Sequence, residues 1–166
     1  RNSRIEISRI QKELHITTLF VTHDQEEAMV ISDMIHLLSD GRIEQSGSAI
    51  DLYSKPRTLF AATFIGNYTI LPAVDFQKAS GSPLDCQNVA IRPEIVRISQ
   101  ELVDDEAKYH LRGSVRNSLC HGNIIRYDVD CGGVRINADV IFESGILLNE
   151  GDEVYLSIPR EGIIEL

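Results

Sequence analysis

The sequence predicts an α/β segment over residues 1–66 followed by an all-β barrel or sandwich over residues 67–166. Three observations carry that division. An apolar, β-branched run, Thr17 to Val21, stops at Thr22-His23-Asp24 and gives way at once to the acidic, helix-favouring Gln25-Glu26-Glu27-Ala28-Met29. That is the pattern of a buried strand ending where a helix begins. Further short helices and a hairpin fill the stretch up to Gly66. Beyond Gly66 no helical stripe is evident, and short β-rich runs alternate with Gly, Asp and Asn punctuation.

The first element is a helix over residues 2–14. Ile7, Ile10 and Leu14 fall at i, i+3 and i+7, while Arg4, Glu6, Arg9, Lys12 and Glu13 supply a solvated side. This helix is expected to pack on a sheet and to end at His15. The strand at 17–21 then carries His23 to its carboxyl edge, where open α/β sheets keep their ligand chemistry. Asp24 is placed to cap the next helix, with Glu27 as reciprocal partner in a capping box, and both carboxylates suit the positive end of the helix dipole. That helix runs to about Ser32, with Ala28, Met29 and Ile31 turned inward. Met34 to Ser39 reads as a strand, Asp40-Gly41 as a two-residue hairpin turn, and Arg42 to Ser46 as the returning strand.

Ser48 caps a short helix that ends near Tyr53, because the residue before Pro56 disfavours helix. Thr58 to Ile65 makes a further amphipathic turn or two, closed by Gly66. Strands are then expected at Tyr68 to Val74, Val89 to Arg92, Ile95 to Ser99, Tyr109 to Leu119, Asn123 to Cys131, Val134 to Val140, Glu153 to Pro159 and Gly162 to Leu166.

Composition narrows the functional classes. The 166 residues are 43% hydrophobic and 25% charged, which is ordinary globular material. A formal charge of -9, with Lys and Arg scattered, argues against a dedicated nucleic-acid binder. No apolar run approaches the roughly 20 residues that span a bilayer. Cys86, Cys120 and Cys131 are odd in number and far apart, with no His at ligand spacing, so neither a disulfide framework nor a zinc site is indicated. Cys120 and His121 are adjacent, but neighbours on a strand point to opposite faces and make a poor nucleophile and base pair. His36, His110 and His121 lie in separate strand-like runs and are expected to be satisfied or exposed rather than ligands.

Phe20-Val21-Thr22-His23-Asp24-Gln25-Glu26-Glu27-Ala28 closely resembles the switch-histidine segment of ABC transporter nucleotide-binding subunits of the importer branch for sugars, polyamines, ferric iron, sulfate or phosphonates. The resemblance extends upstream to Ile5 to Leu14, which looks like the helix after the D-loop. Downstream it takes in Ile31-Ser32-Asp33-Met34-Ile35, Gly41-Arg42-Ile43-Glu44-Gln45-Ser46-Gly47, and Tyr53-Ser54-Lys55-Pro56 leading to Phe64-Ile65-Gly66. Val89-Ala90-Ile91-Arg92-Pro93-Glu94 and Glu150 to Ile158 resemble elements of the OB-like regulatory (TOBE) domain appended to the same subunits.

The resemblance implies that residues 1–66 are the end of a P-loop ABC nucleotide-binding domain and residues 67–166 an OB-like TOBE barrel. It implies that His23 contacts the γ-phosphate and the attacking water. It also implies ATP and Mg as cofactors of the full-length protein, with none expected for this chain alone. The implied partners are a second copy of the protein and membrane-spanning permease subunits, which place it in the cytoplasm on the inner face of the cell membrane, with a small ligand of the β-domain as a further candidate and no nucleic acid. The Gly-Lys-Ser/Thr phosphate loop, the signature loop and the catalytic glutamate are not in this chain, so it is expected not to hydrolyse ATP by itself.

Gln25, Glu26 and Glu27 read first as a charged helix turn, with weak support from the family for a place near the membrane subunits. Arg92, Pro93 and Glu94 read as a strand-turn-strand brace in preference to a ligand site, because Arg and Glu so close together more often make a local ion pair and turn. Arg112, Arg116, Arg126 and Arg135 are candidates for a local basic pocket. The apolar Leu19, Val21, Ile35 and Leu37 are expected to need cover from outside this segment. The alternative to an importer subunit is a stand-alone small-ligand-binding or dimerisation β-module without catalytic activity.

Overall fold

The computed structural model describes residues 3–103, 105–142 and 147–166, and the backbone only at residues 3 and 4. The expected start of the first helix at Asn2 and the side chain of Arg4 lie outside what is described. The chain forms two compact units, Arg1–Gly66 and Asn67–Leu166.

In the first unit α1 spans Ser3–Leu14, α2 Gln25–Ile31, α3 Ala49–Ser54 and α4 Leu59–Ile65, with β1 at Ile35–Ser39 and β2 at Arg42–Gly47. His15 ends α1 in the left-handed conformation, φ 52°, where glycine is the commoner residue. The hairpin forms as the Asp-Gly pair dictates: Asp40 and Gly41 both have positive φ, 48° and 76°, and β1 pairs antiparallel with β2. Leu37 is buried with Leu52, Ala61 and Ile65, and Ile35 packs against that cluster. A buried Gln45 ties it to the next turn, its amide donating to the Lys55 carbonyl (2.9 Å) and accepting from the Arg57 amide (2.8 Å).

The expected strand at 17–21 does not form. Residues 16–22 are irregular, with Leu19 88% and Val21 85% exposed. A strand exists only if its N–H and C=O groups meet a neighbour, and among the described residues of this unit β1 and β2 pair only with each other. For the same reason Ile7, Ile10 and Leu14 of α1 have no sheet to cover and stay exposed.

The second unit contains β3 (Thr69–Pro72), α5 (Ala73–Ser80), β4 (Asn88–Ile91), β5 (Arg97–Ser99), β6 (Lys108–His121), β7 (Ile124–Cys131), β8 (Val134–Ile141), β9 (Glu153–Pro159) and β10 (Ile164–Glu165). A three-stranded sheet runs β10-β4-β3 and a five-stranded sheet runs β5-β9-β6-β7-β8, all antiparallel. The larger sheet curls so that its edges β5 and β8 approach each other, and the Asn137 amide on β8 donates to Thr69 Oγ1 of the smaller sheet (3.2 Å). The unit is a mostly β half-barrel, consistent with an OB-like domain.

Two features make the curl possible. The long β6 pairs with β9 over 108–114 and with β7 over 114–121, and a bulge interrupts its β7 register between Val115 and Asn117. Gly113 sits at that change of partner, where an added Cβ would lie 2.6 Å from the Asp130 carbonyl oxygen. Phe76, Leu111, Val129, Ile136, Leu156 and Ile158 fill the interior, with Phe76 edge-on to Tyr109 at 5.2 Å.

α5 corrects the expectation that no helix follows Gly66 and that a strand continues to Val74. Its signals are local: Ala73, Phe76 and Ala79 recur at i, i+3 and i+6, Asp75 and Lys78 suit the two ends, and Gly81 closes it at φ 69°. Only Ala73 and Phe76 are fully buried, so the apolar stripe is narrow.

Candidate functional site

The Thr22–Glu27 corner is built by its own side chains. Asp24 takes the cap position, its Oδ1 accepting from the Glu27 amide at 3.0 Å, and the Ala28 amide donates to the Asp24 carbonyl at 3.1 Å. The reciprocal half of the capping box is replaced. Glu27 does not reach back to the Asp24 amide; Thr22 does, its Oγ1 accepting from that amide (3.0 Å) while donating to Glu27 Oε2 (3.0 Å). His23 lies at the apex of this turn, exposed, and makes no hydrogen bond or ion pair among the described residues. Gln25 Nε2 donates to the Phe64 carbonyl at the end of α4. Glu26 and Glu27 fill the first turn of α2, where a carboxylate favours the helix dipole.

The remaining candidates are dispersed. His36 Nδ1 meets Ser46 Oγ at 2.6 Å across the β1–β2 hairpin. His110 is engaged by the Asp105 backbone at Nε2 (2.8 Å to its oxygen) and by Ser157 Oγ at Nδ1 (3.3 Å). Arg92 leads into a 3-10 turn over Pro93–Ile95 in which the Val96 amide donates to the Pro93 carbonyl, so the Arg-Pro-Glu element shapes the corner between β4 and β5.

The four arginines considered for a local basic pocket are each paired. Arg112 pairs with Glu153, Arg116 with Asp130, Arg126 bidentately with Asp139 (2.7 Å twice) and Arg135 with Asp128. Each guanidinium meets a carboxylate on a neighbouring strand, which cancels the local positive field. Two hollows in the second unit are lined by such pairs. One of about 250 Å³ has Arg126 and Asp139 with Asn67, His121 and Ile124 in its wall; one of about 410 Å³ has Arg112, Arg116, Asp130 and Glu153.

Cys131 is buried and its thiol is pushed up to about 12 by loss of hydration, so it is no nucleophile at neutral pH. Cys120 is exposed, its Sγ 3.6 Å from the Gly122 carbonyl oxygen. Among the described residues no three His, Cys, Asp or Glu converge on a metal position, and no helix is long and apolar enough to cross a membrane.

Residues 89–164 match the TOBE domain family. The spermidine/putrescine import ATP-binding protein PotA of Nitratidesulfovibrio vulgaris is 33% identical over 95% of this chain and 49% of its own length. The protein of the same name in Pseudomonas fluorescens is 32% identical over 92% of this chain and 44% of its own. The chain is similar along nearly its whole length to ATP-binding subunits of ABC importers. It corresponds to the TOBE-bearing part of such subunits and spans about half the length of the curated relatives it matches. The TOBE match begins at Val89 on β4 and ends at Ile164 on β10, the two strands that pair at Ala90 and Ile164. A structure of the cytoplasmic molybdate-binding protein ModG with molybdate bound overlaps 55% of this chain and 69% of its own at 14% identity and a TM-score of 0.45.

Thr22 and Gln45 are polar residues that sequence reasoning passed over. Thr22 carried a signal, a hydroxyl two residues before an Asp N-cap. Gln45 carried none, because its role depends on where the Lys55–Arg57 turn folds back.

Proposed function

We propose that this chain works as part of an ATP-hydrolysing importer subunit in which His23 meets the terminal phosphate and the attacking water. Residues 1–66 are then the end of an α/β nucleotide-binding domain, with residues 16–22 as a strand that pairs with the rest of that domain, and residues 67–166 are its regulatory TOBE domain. The observation that carries the reading is His23 itself: an exposed imidazole on a braced turn, left unbonded among the described residues, inside a segment matched by importer ATPases.

An imidazole so placed donates one ring N–H to a phosphate oxygen and holds a water in line. Positioning and charge stabilisation carry most of phosphoryl transfer, so His23 contributes without acting as the base. ATP supplies the phosphoryl group, and Mg²⁺ supplies neutralising charge when bound. His23 fits the phosphate end of that pair, whereas among the described residues no three His, Cys, Asp or Glu converge to hold Mg²⁺.

The functional unit is a pair of such subunits on the inner face of the cell membrane, bound to permease partners. The names of the relatives make a polyamine such as spermidine the first transported substrate to test. The test is ATP turnover by the complete gene product with and without His23→Ala. Loss of turnover with nucleotide binding retained is expected; turnover at the unmodified rate would sink the reading and direct attention to small ligands of the β-domain.

A further inference from the structure

We infer that Thr22 and Glu27 are positioning residues for His23, an inference that rests on the reading of His23 above. One hydroxyl holds the peptide on both sides of the histidine. Thr22 Oγ1 accepts the Asp24 amide at 3.0 Å, closing a turn with His23 at its apex, and donates to Glu27 Oε2 at 3.0 Å. Glu27 closes the circuit, its amide donating to Asp24 Oδ1 at 3.0 Å. The three residues around the histidine are thus bonded to one another, and the imidazole is left out of the bracket.

The choice of residue types supports this. Thr22 ends a run, Thr17 to Val21, in which a β-branched apolar side chain would serve any packing need equally well. Its hydroxyl is the one part a valine lacks, and both of its hydrogen bonds are spent on the turn. An exposed turn without such a bracket would sample many backbone states, each a displacement of the ring. Reactive geometry is unforgiving of displacement: about 1 Å of misplacement costs on the order of 100-fold in rate. The bonds Thr22 and Glu27 make here lie within the turn, so each acts on the rate through His23.

The test compares Thr22→Val, Thr22→Ser, Glu27→Ala and His23→Ala in the complete gene product, by steady-state ATP hydrolysis and thermal melting. Thr22→Val and Glu27→Ala are expected to lower kcat at least about tenfold with KM for ATP little changed, and Thr22→Ser to restore most of the loss. Turnover within twofold of the parent in Thr22→Val, with His23→Ala inactive, overturns the positioning role while leaving the role of His23 intact. An active His23→Ala removes both. Equal loss in Thr22→Val and Thr22→Ser assigns the effect to shape rather than to the hydroxyl, and a Thr22→Val that does not fold beside a folded, active Thr22→Ser assigns it to stability; either result refutes the inference.

Discussion

Each unit contains a tight β-hairpin, and the two hairpins fare differently. β1 and β2 turn through Asp40-Gly41, and the cross-strand pair Leu38 and Ile43 stays 59% and 60% exposed. β7 and β8 turn through Gly132-Gly133, both with positive φ, and their Val129, Ile136 and Ala138 are wholly buried. The turn chemistry is equivalent. What differs is the supply of neighbours: β7 has β6 on its other side and β8 has α5 and β3 of the smaller sheet against it, whereas β1–β2 is a two-stranded sheet that, among the described residues, buries Leu37 with Leu52 of α3 and Ala61 and Ile65 of α4. Local sequence makes a hairpin, and distant sequence makes it a core element.

The largest expected effect sets the two units furthest apart. Phe76→Ala empties the centre of the second unit and should cost about 3–5 kcal/mol, while Leu19→Ala, on the open face of the first, should change stability by less than about 0.5 kcal/mol. Urea denaturation of both variants checks the pair, and a cost at Leu19 approaching that at Phe76 would mean that residues 16–22 have found a partner surface.

A middle-sized effect asks how much the first unit depends on the buried side-chain amide of Gln45. Gln45→Ala leaves the Arg57 amide and the Lys55 carbonyl without their partner and should cost about 1–3 kcal/mol. Hydrogen exchange should speed at Arg57 and Ala61 and stay unchanged in β7; unaltered exchange at Arg57 would show that water replaces the side chain without cost.

The gentlest probe is alkaline pH. The folded second unit holds the Cys131 proton to about pH 12 and the Tyr68 proton likewise, both through burial, against ordinary values of 9.0 and 10.0. Since the unfolded chain releases these protons first, stability is at its full value below pH 9 and falls as pH rises towards 12. Urea midpoints followed by the amide signals of Val129 and Leu156 should drop between pH 8 and pH 10. An unchanged midpoint would mean that the interior admits water to the thiol.

What sequence reveals follows the same line as the hairpins. The Asp40-Gly41 turn, the caps at Asp24 and Ser48, and the strands β6 to β9 are all set by residues within a few positions of one another, and each forms as expected, whereas the Thr58 cap was not foreseen. The strand at 17–21 carried the right composition and failed for lack of a neighbour. α5 formed against a weak stripe because β3, β4 and β6 bury its one aromatic side. Around the candidate site, the Asp24 cap was read and the Thr22 brace was passed over: its hydroxyl two residues before the cap was a signal, but at the end of an apolar run it looks like a strand residue. The pairing of Arg112, Arg116, Arg126 and Arg135 was hidden too, because it depends on strand register, which composition does not encode.

The two-partner strand β6 also governs when this architecture can exist during synthesis. Its first half finds β9 some forty positions further along, and β4 finds β10 at the far end of the unit. A chain emerging at about 5–20 residues per second therefore completes β7 and β8 seconds before their sheet can close, with β6 half-edged in the interval. The ribosome and any chaperone beside it meet an open sheet edge, and only the last strands retire it.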